Sequence, residues 1–340
     1  MKKYSGLRDM ARHSLGRLLP LEFPISMYVE PTNRCNFRCR YCPMSLPGYA
    51  KASGGFKMMS LSQFTKICHD IKDGGHLKAL RFYLMGEPLL NPHLAKMIAM
   101  AHRMKLSERT ELTTNAVFLN RGISRALINS GLDYLRISIS SVDPKRHERI
   151  TQTRVEPGHI RDNIKNFRRI RSRMGCRKPF IYIKMLDALD DVENSNFLKI
   201  YKPLGDEAAI EVPMNWNEYN NHDLLQGTYG KGRRINQKEL YPYPKEVCPF
   251  PFYTLAVNVN GDVTVCCVDW LKATRVGNVF ESTLKSIWDG EELRNFRRMH
   301  LLRVRRMNVS CRNCKYLYTT PDNIDDMPRS RITDIIGADI

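Results

Sequence analysis

Along the first two thirds of the chain, short β-rich runs alternate with helix-patterned segments, and this alternation limits the fold more than any other feature. Candidate strands are 25–30, 80–85, 109–114, 134–140, 180–185 and 208–212. Between them apolar residues recur at helical spacing. Phe64, Ile67 and Ile71 follow a Ser60/Gln63 capping box, and Ile160, Ile164, Phe167, Ile170 and Met174 form a stripe among arginines. Similar stripes run through 93–104 and 122–129. A strand that reaches its neighbour through a helical crossover pairs with it in parallel, because no tight turn connects parallel strands. The expectation is an α/β fold on a parallel sheet.

The 340 residues are 42% hydrophobic, with 54 Lys plus Arg against 35 Asp plus Glu and a net charge of +19. That composition supports a packed core and excludes general disorder. No apolar run is long enough for a transmembrane helix, and the N-terminus lacks the apolar core of a secretory signal, so a cytoplasmic location is expected. The pattern changes after about residue 215. Residues 217–245, rich in Asn, Tyr, Pro and Gly, read as a connecting loop. A hairpin is expected around Asn260-Gly261, between 253–259 and 263–265, then one helix over 283–299 and a loose tail after Tyr318.

Ten cysteines are too few to staple a chain of this size, and most are clustered, which points to metal or catalysis. Cys35, Cys39 and Cys42 follow directly on the first candidate strand. Three thiolates on one loop can ligate three irons of a [4Fe–4S] cluster and leave the fourth open to a small molecule. Structural zinc wants four ligands, and no fourth Cys or His stands nearby. With Tyr41, these cysteines fill every specified position of C-x-x-x-C-x-aromatic-C, and the segment resembles the radical S-adenosylmethionine (radical SAM) superfamily.

The resemblance implies a partial (β/α)6 barrel whose open iron binds SAM. Reductive cleavage of SAM then yields a 5′-deoxyadenosyl radical that abstracts hydrogen from a substrate, with electrons from a reductant such as flavodoxin or ferredoxin. It also implies that Tyr41, Gly86, Glu87, Asn115, Ser138 and Arg154 contact SAM. Met85-Gly86-Glu87-Pro88 is similar to a G-G-E-P motif with Met85 for the first glycine; Thr113-Thr114-Asn115-Ala116 is similar to T-N-G with Ala116 for glycine. Ser138 matches a serine of the fourth strand, although Ser140-Ser141 replace the usual Asp-Gly. Read on their own, Glu87 is a turn residue, Asn115 a helix cap and Arg154 a solvated charge.

Cys248, Cys266, Cys311 and Cys314 bracket the expected hairpin and helix, an arrangement that can fold around one four-thiolate cluster. It resembles the SPASM/Twitch domains of a radical SAM subgroup, with spacing similar to that of the 2-deoxy-scyllo-inosamine dehydrogenases, and implies one auxiliary [4Fe–4S] cluster. Cys267 competes with Cys266 as ligand, and structural zinc is the alternative occupant. The resulting organisation is an N-terminal helical extension (1–23) closing one end of the barrel, the radical SAM barrel (24–213), a linker (214–247), the auxiliary domain (248–318) and a tail (319–340).

Positive charge concentrates at Arg161, Lys165, Arg168, Arg169, Arg171, Arg173, Arg177 and Lys178, and again at Arg294, Arg297, Arg298, Arg303, Arg305 and Arg306. These runs read as solvated helix faces or as attraction for anionic partners. The expected substrate is a small, polar, carbohydrate-like molecule, with an anionic group favoured by the charge, ending in oxidation or epimerisation. Cys68, Cys176 and Cys267 are the candidate hydrogen donors; otherwise they are buried inert thiols. A maturase of ribosomally made peptides is the first alternative. A non-catalytic metal-binding module on RNA is the second, although no RNA-binding module is recognisable.

Overall fold

The computed structural model describes residues 14–211, 245–320 and 322–336. Its strands are β1 (Ser26–Val29), β2 (Leu77–Phe82), β3 (Ser107–Thr114), β4 (Tyr134–Ile139), β5 (Phe180–Leu186), β6 (Glu207–Glu211), β7 (Thr254–Val257), β8 (Asp262–Thr264) and β9 (Arg275–Asn278). They form one sheet in the order β6-β5-β4-β3-β2-β1-β7-β8-β9. The first six pair in parallel, each with its sequence neighbour, as the alternation required. Winding in one direction keeps the crossover helices on one face and brings all the strand ends that follow β1 to β6 to one rim.

The helix-facing side is the core. Along β4 burial alternates: Leu135, Ile137 and Ile139 are buried beneath Ile160, Ile164 and Phe167 of the Pro157–Arg173 helix. Tyr134, Arg136 and Ser138 occupy the opposite, inner face. The capping box forms: Gln63 N–H donates to Ser60 Oγ at 3.1 Å, and Ser60 N–H donates to Gln63 Oε1 at 2.9 Å. It starts the Leu61–Gly74 helix, whose Phe64, Ile67 and Ile71 are fully buried, each contributing roughly 1.5–3 kcal/mol.

Three expectations change. The helix expected over 283–299 is two, Leu284–Trp288 and Glu291–Leu301, separated by an extended Gly290. Arg297 fixes that corner: its guanidinium lies 4.0 Å from the Trp288 ring centroid and donates to Trp288 O at 3.2 Å. The tail is structured over residues 322–336 rather than loose. Its Arg329–Ile336 helix lays Ile332 and Ile335 against Leu19, Phe252 and Leu301, and Asn323 Oδ1 accepts the Gly16 N–H at 2.9 Å. These partners are far apart in sequence, so local periodicity carries little trace of them. The basic runs, finally, are only partly solvated. Arg171 makes a two-pronged ion pair with Asp206 at 2.5 and 2.8 Å, and Arg305 donates to Cys311 O.

The hairpin around Asn260-Gly261 forms as β7 and β8, and β7 also extends the parallel sheet beside β1 from Ser26↔Thr254 to Val29↔Val257. That pairing sets the second cysteine region next to the loop that follows β1. Of the expected loop over 217–245 only Lys245 is described, and residues 1–13 of the expected N-terminal extension lie outside the described residues. Among the described residues, no helix is long and apolar enough to cross a membrane.

Candidate active site and auxiliary cysteine site

The loop after β1 carries Cys35, Cys39 and Cys42 and is fixed from several sides. Glu30, buried at the end of β1, accepts the Met85 N–H at 3.3 Å and the Val259 N–H at 3.1 Å, so one carboxylate joins the segments after β1, β2 and β7. Arg38 and Arg40 donate their backbone N–H groups to Thr151 O and Ile150 O, each at 2.9 Å, seating the loop on the Pro144–Thr151 helix. Gly86 passes so close that a Cβ there would strike the carbonyl oxygens of Thr32 and Arg34, which explains a glycine at this position.

Glu87 is buried beside this loop. It accepts the Thr114 hydroxyl at 2.6 Å, the Asn115 N–H at 2.7 Å and the Leu89 N–H at 3.0 Å, while its own N–H donates to Arg34 O at 2.8 Å. Burial outweighs those donors and pushes the carboxyl up to about 7. Asn115 Nδ2 donates to Asn36 Oδ1 at 2.8 Å. Ala116 has φ 61°, in the left-handed region that favours glycine. The Tyr41 hydroxyl lies 3.3 Å from Ser140 Oγ, two residues beyond Ser138 on the same face. Gly86, Glu87 and Asn115 thus gather around the cysteine loop, and Tyr41 reaches the end of β4. Arg154 does not join them: its side chain is 95% exposed, 3.7 Å from Glu148.

Burial pushes Cys35 up to about 12 and Cys42 up to about 11, and also raises Cys39. The thiols compound the effect, Cys42 raising Cys35 and both of these raising Cys39, so the three sulfurs share one electrostatic neighbourhood. A bound cation would reverse that balance and favour the thiolates. Among the described residues, no three His, Cys, Asp or Glu side chains converge as ligands of a single metal ion. Three thiols from one loop are the number that a [4Fe–4S] cluster with one open iron takes, whereas structural zinc takes four ligands.

Inside the barrel, Glu211 accepts from Arg136 at 2.9 Å, Lys184 at 2.6 Å and Tyr182 at 3.0 Å. Burial alone would raise this carboxyl, but Lys184 and Arg136 outweigh it and hold it at about 2. Arg81 bridges β2 to Glu111 of β3 at 3.0 Å and lies 5.1 Å from the Tyr28 ring centroid. Sequence reasoning missed this polar lining. The signal was the alternation of Tyr134, Arg136 and Ser138 with buried aliphatics along one strand.

The second site is a pocket lined by Cys248, Cys266, Cys311 and Cys314. Four thiols lining one pocket fit a four-thiolate cluster. Burial drives Cys248 up to about 12 and raises Cys311 and Cys314 as well. Cys267 does not line this cavity. It borders a neighbouring space of about 300 Å³ with Glu30, Tyr49 and Trp270, on the side facing the first loop, and Cys266 lines both. Cys68 is sealed in the core of the Leu61–Gly74 helix, and Cys176 sits before β5 at the opposite rim, its thiol 3.5 Å from Met174 O. Sequence reasoning also passed over His300, which lines the four-cysteine cavity. Burial, then Arg305, keeps its imidazole neutral, down to about 3.

Residues 29–178 match the radical SAM superfamily and residues 248–315 the SPASM iron-sulfur cluster-binding domain. The GTP 3′,8-cyclase of Campylobacter fetus is 35% identical over 118 residues, 34% of this chain; the match likewise spans about a third of that relative's length (34%). A tungsten-containing aldehyde ferredoxin oxidoreductase cofactor-modifying protein of Pyrococcus furiosus is 25% identical over 305 residues, covering 80% of this chain and 82% of its own. The crystal structure of BtrN in complex with AdoMet and 2-DOIA superposes with a TM-score of 0.53 at 16% identity, over 86% of this chain and 93% of BtrN, a likeness of fold.

Proposed function

Because residues 29–178 match the radical SAM superfamily and residues 248–315 a SPASM domain, we propose that the chain abstracts hydrogen from a polar, carbohydrate-like small molecule and completes an oxidation or epimerisation of it. When bound, a [4Fe–4S] cluster on Cys35, Cys39 and Cys42 together with SAM supplies the 5′-deoxyadenosyl radical. The observation that carries the reading is the anchoring of Glu87 and Asn115 to the loop that bears those cysteines. The chain's own residues then have distinct tasks. Glu87, Asn115 and Gly86 shape the wall against which SAM lies, and Tyr41 closes it toward β4. On the inner face, Arg136 and Lys184, paired with Glu211, supply cationic N–H donors of the kind that suits hydroxyl, carboxylate or phosphate groups. Cys248, Cys266, Cys311 and Cys314 hold the auxiliary centre, which leaves Cys267, of the three candidate hydrogen donors, on the space that faces the first cysteine loop.

The test supplies anaerobically reconstituted enzyme with SAM, a flavodoxin- or ferredoxin-type reductant and extract from deuterium-grown cells, divided into small-molecule and macromolecular fractions. Deuterium in 5′-deoxyadenosine from the small-molecule fraction is the expected result. Deuterium only from the macromolecular fraction overturns it in favour of a peptide or RNA substrate.

A further inference from the structure

His300 is fully buried in the last turn of the Glu291–Leu301 helix, on the wall of the four-cysteine cavity. Burying an imidazole is costly unless its nitrogens are hydrogen-bonded, and both of these face cysteines of the proposed cluster. Nδ1 accepts the backbone N–H of Cys248 at 3.3 Å. That nitrogen therefore presents a lone pair, and the ring's one proton resides on Nε2. Nε2 lies 3.9 Å from Cys311 Sγ, within reach of a weak N–H to sulfur hydrogen bond. The Phe296 ring, 5.1 Å away centroid to centroid, packs against the imidazole and restricts its rotation. Arg305 also lines the cavity, but its hydrogen bonds run to the backbone oxygens of Cys311 and Cys314 rather than to a sulfur.

From this geometry we infer that His300 donates its Nε2 proton to the Cys311 thiolate and thereby raises the reduction potential of the auxiliary iron–sulfur centre. The inference rests on the reading that Cys248 and Cys311 ligate that centre. Reduction adds negative charge, part of which falls on the thiolates, and a donor aimed at one of them favours the reduced form. The backbone of one ligand segment fixes the tautomer that serves the sulfur of another, so His300 acts as a positioning and tuning residue rather than a ligand.

The experiment uses the full chain with Cys35, Cys39 and Cys42 all changed to Ala, so that only auxiliary iron remains, reconstituted anaerobically and titrated redox-wise by electron paramagnetic resonance. Adding His300→Leu should leave iron per chain unchanged and shift the midpoint to a more negative potential, whereas His300→Gln, which keeps an N–H donor, should stay near the parent. An unchanged midpoint in His300→Leu, or an equal shift in both variants, overturns the inference. If His300→Leu loses its iron, the Gln variant decides: a parental midpoint supports donation, and iron loss there too overturns it. A parent chain without iron overturns the auxiliary-cluster reading itself, and the inference falls with it.

Discussion

The first cysteine site draws its three thiols from one loop after one strand, whereas the second draws four from segments separated by a short helix, a hairpin, β9, two further helices and a turn. The first is held by backbone contacts to its immediate surroundings, from Gly86 to Ile150 and Thr151. The second exists only once β7 has joined β1 and the Glu291–Leu301 helix has packed back over the hairpin. A site written into one loop tolerates loss of distant packing; a site assembled from distant segments reports on that packing. The first should therefore fail through its own residues, and the second through the residues that bring its parts together.

The sharpest separation comes from the ligands. Changing Cys35, Cys39 or Cys42 to Ala should reduce 5′-deoxyadenosine formation to background while auxiliary iron remains, and Cys311→Ala should do the reverse, removing auxiliary iron yet leaving reductive SAM cleavage measurable. Iron analysis and chromatography of the nucleoside product check both. Next is Trp288, buried beneath Arg297 and donating Nε1–H to Leu21 O at 2.8 Å. Trp288→Ala should cost about 3–5 kcal/mol in denaturant unfolding and strip iron from the second site before the first.

The barrel lining adds a pH test. Glu211 sits well below an ordinary carboxyl, at about 2, so its contribution is fully present above its unfolded value and is lost as pH falls through the folded one. Stability should decline by on the order of 3 kcal/mol between about pH 4.5 and 2 from this group, and Glu211→Gln should flatten that decline. A smaller effect is expected at Glu87. Glu87→Gln keeps the shape but weakens acceptance from Thr114, Asn115 and Leu89, at about 1–3 kcal/mol, read as weaker SAM binding with the auxiliary iron intact. Smallest is Arg154→Ala: at an exposed side chain the change should stay within about 0.5 kcal/mol, or roughly twofold in the SAM KM, and a tenfold rise would mean that this segment closes over SAM.

The sequence made the first region legible because its information is local. Six parallel strands followed from period and spacing, the Ser60/Gln63 box marked a helix start, and the cysteine spacing lay on a strand-end loop. Less local features escaped. The break at Asp289-Gly290 depends on Arg297 reaching back to Trp288, and the ordered tail depends on Gly16 and Leu19. Arg136 and Lys184 read as ordinary charges until Glu211 of β6 stands beside them. His300 carried no motif; its meaning comes from Cys248 and Cys311, distant in sequence and adjacent in the fold.

The most direct test of two independent cysteine sites is iron content and SAM cleavage measured together on the variant with Cys35, Cys39 and Cys42 changed to Ala. The account expects about four irons per chain to remain, one cluster's worth, with no 5′-deoxyadenosine formed. Zinc in place of that iron, or wild-type production of 5′-deoxyadenosine, would contradict it.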